Sequence, residues 1–260
     1  SQAGDLVFWF VPQGPIRYQI LFGAAFVLVL FYVGLVLAIT RGNKHVQPKE
    51  TPSPMQLIFR YWPGRIVLVA AMMGVGLTTT TVFLPRMTTG RELGGIGTFF
   101  LGYCVSAFVF RVAAAGWANI IGRYKLVVFG LLGHASGHFV LAFASETWHL
   151  IPAAMLAGFG HALLFPCVVS LGTGRFPREY RGTGTSIVLA FIEVGVAVAG
   201  PILGWIIDTG IERGTGDPYA PMFLSSAFAF VAVATYYAWA TRNDVDEEQI
   251  RRRVPIQPEI

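Results

Sequence analysis

Apolar residues fall into seven long stretches along this chain, and these stretches are almost free of charge. They cover residues 18–40, 66–84, 97–115, 126–144, 150–171, 183–207 and 222–240. Each is 19 to 25 residues long, and a helix of that length, at about 1.5 Å per residue, crosses the hydrocarbon core of a bilayer. The pattern predicts an all-α, polytopic membrane bundle of seven transmembrane helices.

Charge supports this interpretation. Of the 260 residues, 54% are hydrophobic and only 13% are charged, against roughly 25% charged in a soluble domain. Arg111 and Glu193 are the two charged residues inside the seven stretches. Glycine and proline inside several stretches are tolerated in a bilayer, where neighbouring helices satisfy the freed backbone groups. The composition excludes an ordinary soluble domain.

Basic residues are divided unequally between the two predicted sides of the membrane. If the helices alternate in direction and Arg111 is counted at its helix end, 15 of the 19 Lys and Arg residues lie on one side. The positive-inside rule assigns that side to the cytoplasm. We therefore predict a multi-pass protein of the cell membrane with a cytoplasmic carboxy terminus. This distribution explains the basic excess without a nucleic-acid partner.

A proline-containing basic loop divides the predicted helices into one and six. Residues 1–40 form the end of an amino-terminal region with one transmembrane helix, and residues 41–65 form a cytoplasmic linker. A six-helix bundle follows over residues 66–241, and a cytoplasmic tail over 242–260. Because the chain opens on the predicted outer side without an initiator Met, we expect it to be a truncated part of a longer protein.

Two loops of the six-helix segment carry motifs. Residues 111–125 read RVAAAGWANIIGRYK, and residues 176–186 read FPREYRGTGTS before a G-P-x-x-G at 200–204. They resemble the R-x-x-x-G-x-x-x-D-x-x-G-R-x-K/R and P-x-x-x-R-G motifs of the major facilitator superfamily. Ala115 and Asn119 stand where that family often has Gly and usually has Asp.

The resemblance implies that the chain is the carboxy-terminal half of a twelve-helix secondary transporter, together with the helix that precedes it. Such a transporter moves a small solute by alternating access, so the implied partners are the solute, the lipid bilayer and the missing amino-terminal half. The residues that match the loop motifs are expected to act in gating; they are Arg111, Asn119, Gly122, Arg123, Arg181 and Gly182.

Four further residues are candidates for the solute or proton pathway. Glu193 lies deep in its predicted helix, where a carboxylate is costly unless it faces a cavity or a partner, so proton coupling is a natural use. His161 lies midway along another helix, where it binds solute or protons, or else makes an interhelical hydrogen bond. Thr78 and Thr79 belong to a four-threonine run, of which one or two residues are expected to reach the cavity.

Other patterns point to packing or leave alternatives open. His134 and His138 have a spacing that metal sites use, but we interpret them as packing residues, and Gly200 and Gly204 as a close helix contact. We find no catalytic residues, cofactor motif or metal site, and expect no enzyme. A seven-helix receptor and an inactive truncated fragment remain alternatives to the transporter.

Overall fold

A computed structural model of the protein describes residues 15–41, 52–94, 96–244 and 246. The chain divides into two units, residues 1–51 and 52–260, and each is described by itself. The start of the predicted amino-terminal region, most of the predicted linker and nearly all of the predicted tail lie outside the described residues. The predictions for these segments stay predictions.

The first unit contains one long helix, α1, Pro15–Thr40. It begins three residues before the apolar stretch that predicted it and ends with that stretch. Apolar side chains cover every face, as expected for a helix in lipid. Near its end, the hydroxyl of Thr40 donates to the carbonyl of Val36 over 2.7 Å.

The second unit is also helical, and no strand occurs among its described residues. Its helices are α2 Pro54–Arg60, α3 Ile66–Thr78, α4 Leu84–Gly90, α5 Gly97–Ala113, α6 Trp117–Ile120, α7 Arg123–Ala142, α8 Leu150–Thr173, α9 Arg181–Glu212 and α10 Tyr219–Ala240. A π-helical turn, Thr79–Phe83, joins α3 to α4, so residues 66–90 form one continuous but irregular helix.

Six of the seven predicted spans are helices long and apolar enough to cross a membrane. The seventh, α5, has 17 residues, which is at the lower limit for a transmembrane helix. The all-α polytopic bundle is therefore confirmed, while the count of seven spans depends on whether the short α5 crosses.

Glycines allow the main helices to approach closely. Helix α3 packs on α9, α5 on α8, and α7 on both α8 and α10. Where α3 meets α9, a Cβ atom on Gly74 would collide with the carbonyl of Ile192, and one on Gly195 with that of Ala71. Backbone contact of this kind is a common way for helices to associate in lipid, because the lipid tails are as apolar as the side chains.

The predicted contact at Gly200 and Gly204 is not found among the described residues. A Cβ atom built on either glycine would have no described atom within 4 Å, apart from the adjacent residues and nearby backbone of α9 itself. The close approach of α9 occurs instead at Gly195, about one helical turn before Gly200. Residue type alone could not distinguish these faces, since α9 is apolar all round.

Two apolar clusters fill the two ends of the six-helix bundle. One contains Ile66, Leu126, Val168, Val188 and Tyr237, among others. The other contains Met87, Phe99, Leu141, Leu150 and Met222, among others. Glu193, His161 and the threonine run lie between the two clusters, near the middle of the helices.

Candidate functional site

Glu193 and His161 line the same cavity in the middle of the six-helix bundle. The cavity has a volume of about 300 Å³. It lies among α3, α5, α7, α8 and α9, and its wall is formed by Met73, Gly76, Leu77, Thr80, Tyr103, His134, His161, Phe165, Leu189, Ile192 and Glu193. The two residues predicted for proton coupling are thus brought together from different helices.

Two glycines of α8 position His161. A Cβ on Gly158 would lie 2.5 Å from the carbonyl oxygen of Tyr103 on α5, and one on Gly160 would lie 2.6 Å from that of Gly130 on α7. Helix α8 is therefore held tightly between α5 and α7. The imidazole of His161 lies between the rings of Tyr103 and Phe165, with centroid distances of 5.8 Å and 5.7 Å.

The contact between α3 and α9 positions Glu193. Ile192 and Gly195, which make that contact, flank Glu193 along α9. Glu193 is exposed and forms no ion pair with any described residue. A carboxyl group so placed is available to a proton or to a bound solute.

The threonine run occupies the end of α3 and the π-helical turn. Thr78 donates to the carbonyl of Gly74 over 3.0 Å, and Thr79 and Thr80 both donate to that of Gly76 over 2.8 Å. These bonds satisfy carbonyls that the change of helical pitch would otherwise leave weakly paired. Thr80 lines the cavity, whereas Thr78 and Thr79 are not part of its wall.

Thr79 has a second contact on the side of α7. Its hydroxyl oxygen lies 2.7 Å from Nε2 of His138, and both residues are buried. Because the hydroxyl proton goes to the carbonyl of Gly76, the ring nitrogen is the donor in this bond. His138 therefore has a structural partner.

His134, one turn before His138, is the cavity residue that sequence reasoning missed. The spacing of His134 and His138 alone favours a packing role. The sequence feature that could have indicated it is its position on the same helical face as His138. It also lies near Gly130 and Gly133, two glycines that let α8 approach closely. Tyr103 and Phe165 were also missed, since apolar and aromatic residues are found on every face of these helices.

The first motif loop forms a second cavity of about 340 Å³ near one end of the bundle. Arg111, Asn119 and Arg123 line it together with Asp246. The guanidinium of Arg111 lies 5.9 Å from the centre of the Phe165 ring, within cation-π range. Gly122 has φ +91°, a conformation that favours glycine, and it permits the sharp turn into α7.

The second motif loop lies apart from both cavities. Arg181 begins α9, and Gly182 follows it; both are exposed and neither is part of either cavity wall. The carbonyl of Arg181 accepts a hydrogen bond from the hydroxyl of Thr185 over 2.9 Å. The structure thus groups three residues of the first motif but does not bring Arg181 and Gly182 to them.

No group of three or more His, Cys, Asp or Glu side chains is placed to hold a metal ion in the part of the chain that the structure describes. His134 and His138 are a pair without a third such ligand. Their rings instead contact each other and Phe230, with centroid distances of 5.2 Å and 5.1 Å to the phenyl ring.

Long apolar helices around a cavity with a few polar groups indicate a multi-pass membrane protein. The chain belongs to the Major Facilitator Superfamily, whose family model matches residues 66–258. Its six-helix segment therefore corresponds to a six-helix bundle of this superfamily, as the two loop motifs predicted.

Curated relatives agree with this assignment. The chain is 24% identical over 223 residues to the uncharacterized MFS-type transporter YhhS of Escherichia coli (strain K12), covering 85% of this chain and 52% of the relative. It is 23% identical over 173 residues to multidrug resistance protein 2 of Bacillus subtilis (strain 168), covering 65% and 40%. The chain spans about half the length of the curated relatives it matches. No solved structure matches the chain.

Proposed function

We propose that the protein is a secondary active transporter that moves a small solute by alternating access, with proton coupling through Glu193 and His161. The observation that carries this proposal is the shared cavity of these two residues. A solute-sized, mostly apolar cavity with a few convergent polar groups is the usual form of a small-molecule site. Ionisable residues at membrane depth commonly serve ion or proton pathways.

The helix contacts support alternating access. Exchanging α3, α5 and α7 for α8, α9 and α10, in that order, converts the α3–α9 contact into the α8–α5 contact, and both are extensive, although the extensive α7–α8 contact becomes the much smaller α10–α3 contact. The exchange of this pair is the relation expected between the two three-helix repeats from which each rocking bundle of such transporters is built. A second half of similar size, as the length of the relatives indicates, would supply the opposing bundle.

The irregular helix at the cavity adds to the proposal. The π-helical turn Thr79–Phe83 includes Thr80, which is on the cavity wall. Transporter sites are often built where a transmembrane helix is interrupted, and π turns are frequent at functional sites. We propose that Thr80, beside the predicted Thr78 and Thr79, contributes its hydroxyl oxygen to the solute site.

We further propose that the loops with the first motif and the carboxy terminus face the cytoplasm, and that Arg111, Asn119, Gly122 and Arg123 act in gating. The basic excess of these loops supports the orientation. The ion pair of Arg123 and Asp246 supports the gating role, because it ties the start of α7 to the segment after α10 beside the second cavity.

The test is transport by the full-length protein in proteoliposomes under an imposed pH gradient. The name of the Bacillus relative, multidrug resistance protein 2, suggests a panel of drugs as the first solutes to test. Once a transported solute is found, Glu193→Gln should lose uptake driven by the gradient and keep solute exchange without it. Glu212→Gln, on the same helix but outside the cavity, is the matched control. Unchanged proton-driven uptake in Glu193→Gln would remove Glu193 from the mechanism.

A further inference from the structure

A groove runs between α7 and α10 on the face of α7 opposite to the solute cavity. It has two wide parts, with volumes of about 650 Å³ and 310 Å³. The α7 residues that line these parts recur every three or four positions, so they share one face of the helix. Among them are Lys125, Phe129, Leu132, Ser136 and Phe139. His134, in the wall of the solute cavity, is nine positions after Lys125, or about two and a half turns, which places it on the opposite face.

The facing wall comes from α10 and the residues directly after it. Its lining residues are spaced by three, four or seven positions, which again keeps them on one face. They include Leu224, Phe228, Val231, Ala238 and Arg242. Because α7 and α10 also pack closely on each other, the two wide parts are sections of one continuous depression, the α7–α10 groove.

One end of the α7–α10 groove carries two cations without an ionic partner among the described residues. They are Lys125 and Arg242, and both are exposed. The two carboxylates of the same wall belong to Asp244 and Asp246, and each is paired with an arginine that lies outside the wall. The positive charge of this end is therefore available to an anion.

This basic end lies on the predicted cytoplasmic side, near the level of the lipid head groups. The guanidinium of Arg242 is 5.8 Å from the centre of the ring of Trp239, and Trp239 is exposed. Exposed tryptophan residues concentrate at the membrane–water interface. Basic pockets between transmembrane helices on the cytoplasmic side are typical binding sites for the head groups of anionic lipids.

The rest of the α7–α10 groove is apolar and has the length of a lipid chain. Leu132, Phe139 and Phe228 line it and are exposed. From Lys125 to Phe139 the groove extends for about 21 Å, at about 1.5 Å per residue. One leaflet contributes about 15 Å, half of the hydrocarbon core. An acyl chain whose head group lies at Lys125 can therefore follow the groove through its whole leaflet.

We propose that the α7–α10 groove binds one anionic phospholipid, with the phosphate at Lys125 and Arg242 and an acyl chain along Leu132, Phe139 and Phe228. A free phosphate would use the cations but leave the apolar surface uncovered. A second copy of the chain fits less well, because in a symmetric pair the same faces meet and the cations of one copy would lie against those of the other. The lipid site shares no lining residue with the solute cavity, so it does not depend on the proposed transport.

The experiment is native mass spectrometry of the full-length protein, titrated with phosphatidylglycerol or with phosphatidylcholine of the same acyl chains. We expect one site that prefers phosphatidylglycerol. The double variant Lys125→Gln, Arg242→Gln should weaken its binding by about ten- to thirtyfold, since each basic residue contributes about fivefold near an anionic lipid. The control Arg175→Gln, Arg178→Gln removes two exposed cations from the same predicted side but outside the groove, and it should bind as the unaltered protein does.

The apolar part of the groove is tested separately. Ser136 is exposed in its wall, so Ser136→Phe places a ring where the chain would lie and should weaken phosphatidylglycerol binding by about fivefold or more. Val198→Phe, at an exposed position of α9 outside the groove, should have no effect. Glycerol 3-phosphate, which has the phosphate without the chains, should not displace the lipid.

Four results would overturn the lipid site. They are equal affinity of the unaltered protein for both lipids, an equal loss in the two double variants, displacement of the lipid by glycerol 3-phosphate, and dimers that carry no lipid. Unchanged binding in Ser136→Phe would overturn the placement of the chain. All of these are measurements of lipid binding, so a failure of the proposed transport would be seen separately, in proteoliposomes.

Discussion

Arg123 and Asp246 form a buried ion pair that joins the start of α7 to the segment after α10. Nε of Arg123 lies 3.1 Å and 3.0 Å from the two carboxylate oxygens, and Nη2 makes a further short contact. The backbone N–H of Arg123 also donates to Asp246, over 3.0 Å. Asp246 thus caps α7 in place of Gly122, which has no side chain to do so. It also supplies a carboxylate near Asn119, where the family motif usually has Asp.

The first prediction is that Asp246→Asn destabilises the protein markedly. The side chains of Arg123 and Asp246 are only 16% and 4% exposed, so removing the carboxylate charge leaves the buried guanidinium without the anion with which it pairs. Breaking a buried pair in this way costs about 3–5 kcal/mol. The measurement is thermal unfolding of the purified protein in detergent.

Asp244→Asn is the matched control, two residues earlier. Asp244 pairs with Arg65 over 3.2 Å, but these side chains are 37% and 49% exposed. Exposed pairs contribute about 0–1 kcal/mol, so this variant should unfold close to the unaltered protein. Equal effects of the two substitutions would show that the Asp246 pair is not the stabilising one.

The apolar pattern predicted most of the fold because crossing a bilayer requires a minimum apolar length. The helix at residues 66–78 begins where the stretch begins, and α8 begins at Leu150 as expected. Rotation about the helix axis could not be predicted in the same way. A membrane helix is apolar on all faces, so nothing in the sequence distinguished Thr80, which faces the cavity, from Thr79, which faces His138.

Contacts between residues far apart in the sequence could not be predicted either. The family motif implied a role for Arg123, but its partner Asp246 lies in a polar tail that has no periodicity to place it. Likewise, Glu193 and His161 were chosen one by one, from the cost of polar groups in lipid. Only the packing of α8 between α5 and α7 and of α9 on α3 shows that they share a cavity.

The second prediction concerns Arg91, in the loop that follows α4. Its guanidinium donates to the carbonyls of Leu141, Ala142 and Ala144 at the end of α7, and it also pairs with Asp217. Arg91→Ala would remove this donor from all three carbonyls. That of Leu141 keeps a hydrogen bond from the N–H of Ala144 over 3.2 Å, whereas each of the other two costs about 1–3 kcal/mol where it stays buried without a partner. We expect a loss of about 2–3 kcal/mol in unfolding experiments, at the lower end of that sum because water replaces part of the lost bonding.

Arg86→Ala is the comparison for this variant. Arg86 is exposed, and its recorded contact is a cation-π approach of 6.0 Å to the ring of Phe83. Such exposed contacts contribute about 0.5–1 kcal/mol. If Arg91→Ala were no more destabilising than Arg86→Ala, the proposed capping of α7 by Arg91 would be wrong.

The third prediction concerns orientation in the membrane. In a protein with Cys104→Ser and Cys167→Ser, a cysteine introduced by Gly216→Cys should react with a membrane-impermeant maleimide in intact cells. A cysteine introduced by Glu179→Cys should react only after the membrane is permeabilised. Both positions are exposed and lie in loops at opposite ends of α9. Labelling of both in intact cells, or of Glu179→Cys alone, would contradict the cytoplasmic assignment of the basic loops.

The fourth prediction is that Gly195→Ala separates α3 from α9 and disturbs the cavity. The added Cβ would overlap the carbonyl of Ala71, a backbone atom that cannot move without moving α3. Overpacking of this kind costs about 1–3 kcal/mol. Because Glu193 lies two residues away, solute binding in the cavity should weaken together with the thermal stability.

Gly200→Ala, on the same helix, adds a methyl group where no described atom lies within 4 Å, and alanine is favoured over glycine in a helix by about 1 kcal/mol. That variant should be as stable as the unaltered protein or more so. If Gly195→Ala were tolerated as well as Gly200→Ala in both measurements, the close backbone contact would not be what positions Glu193.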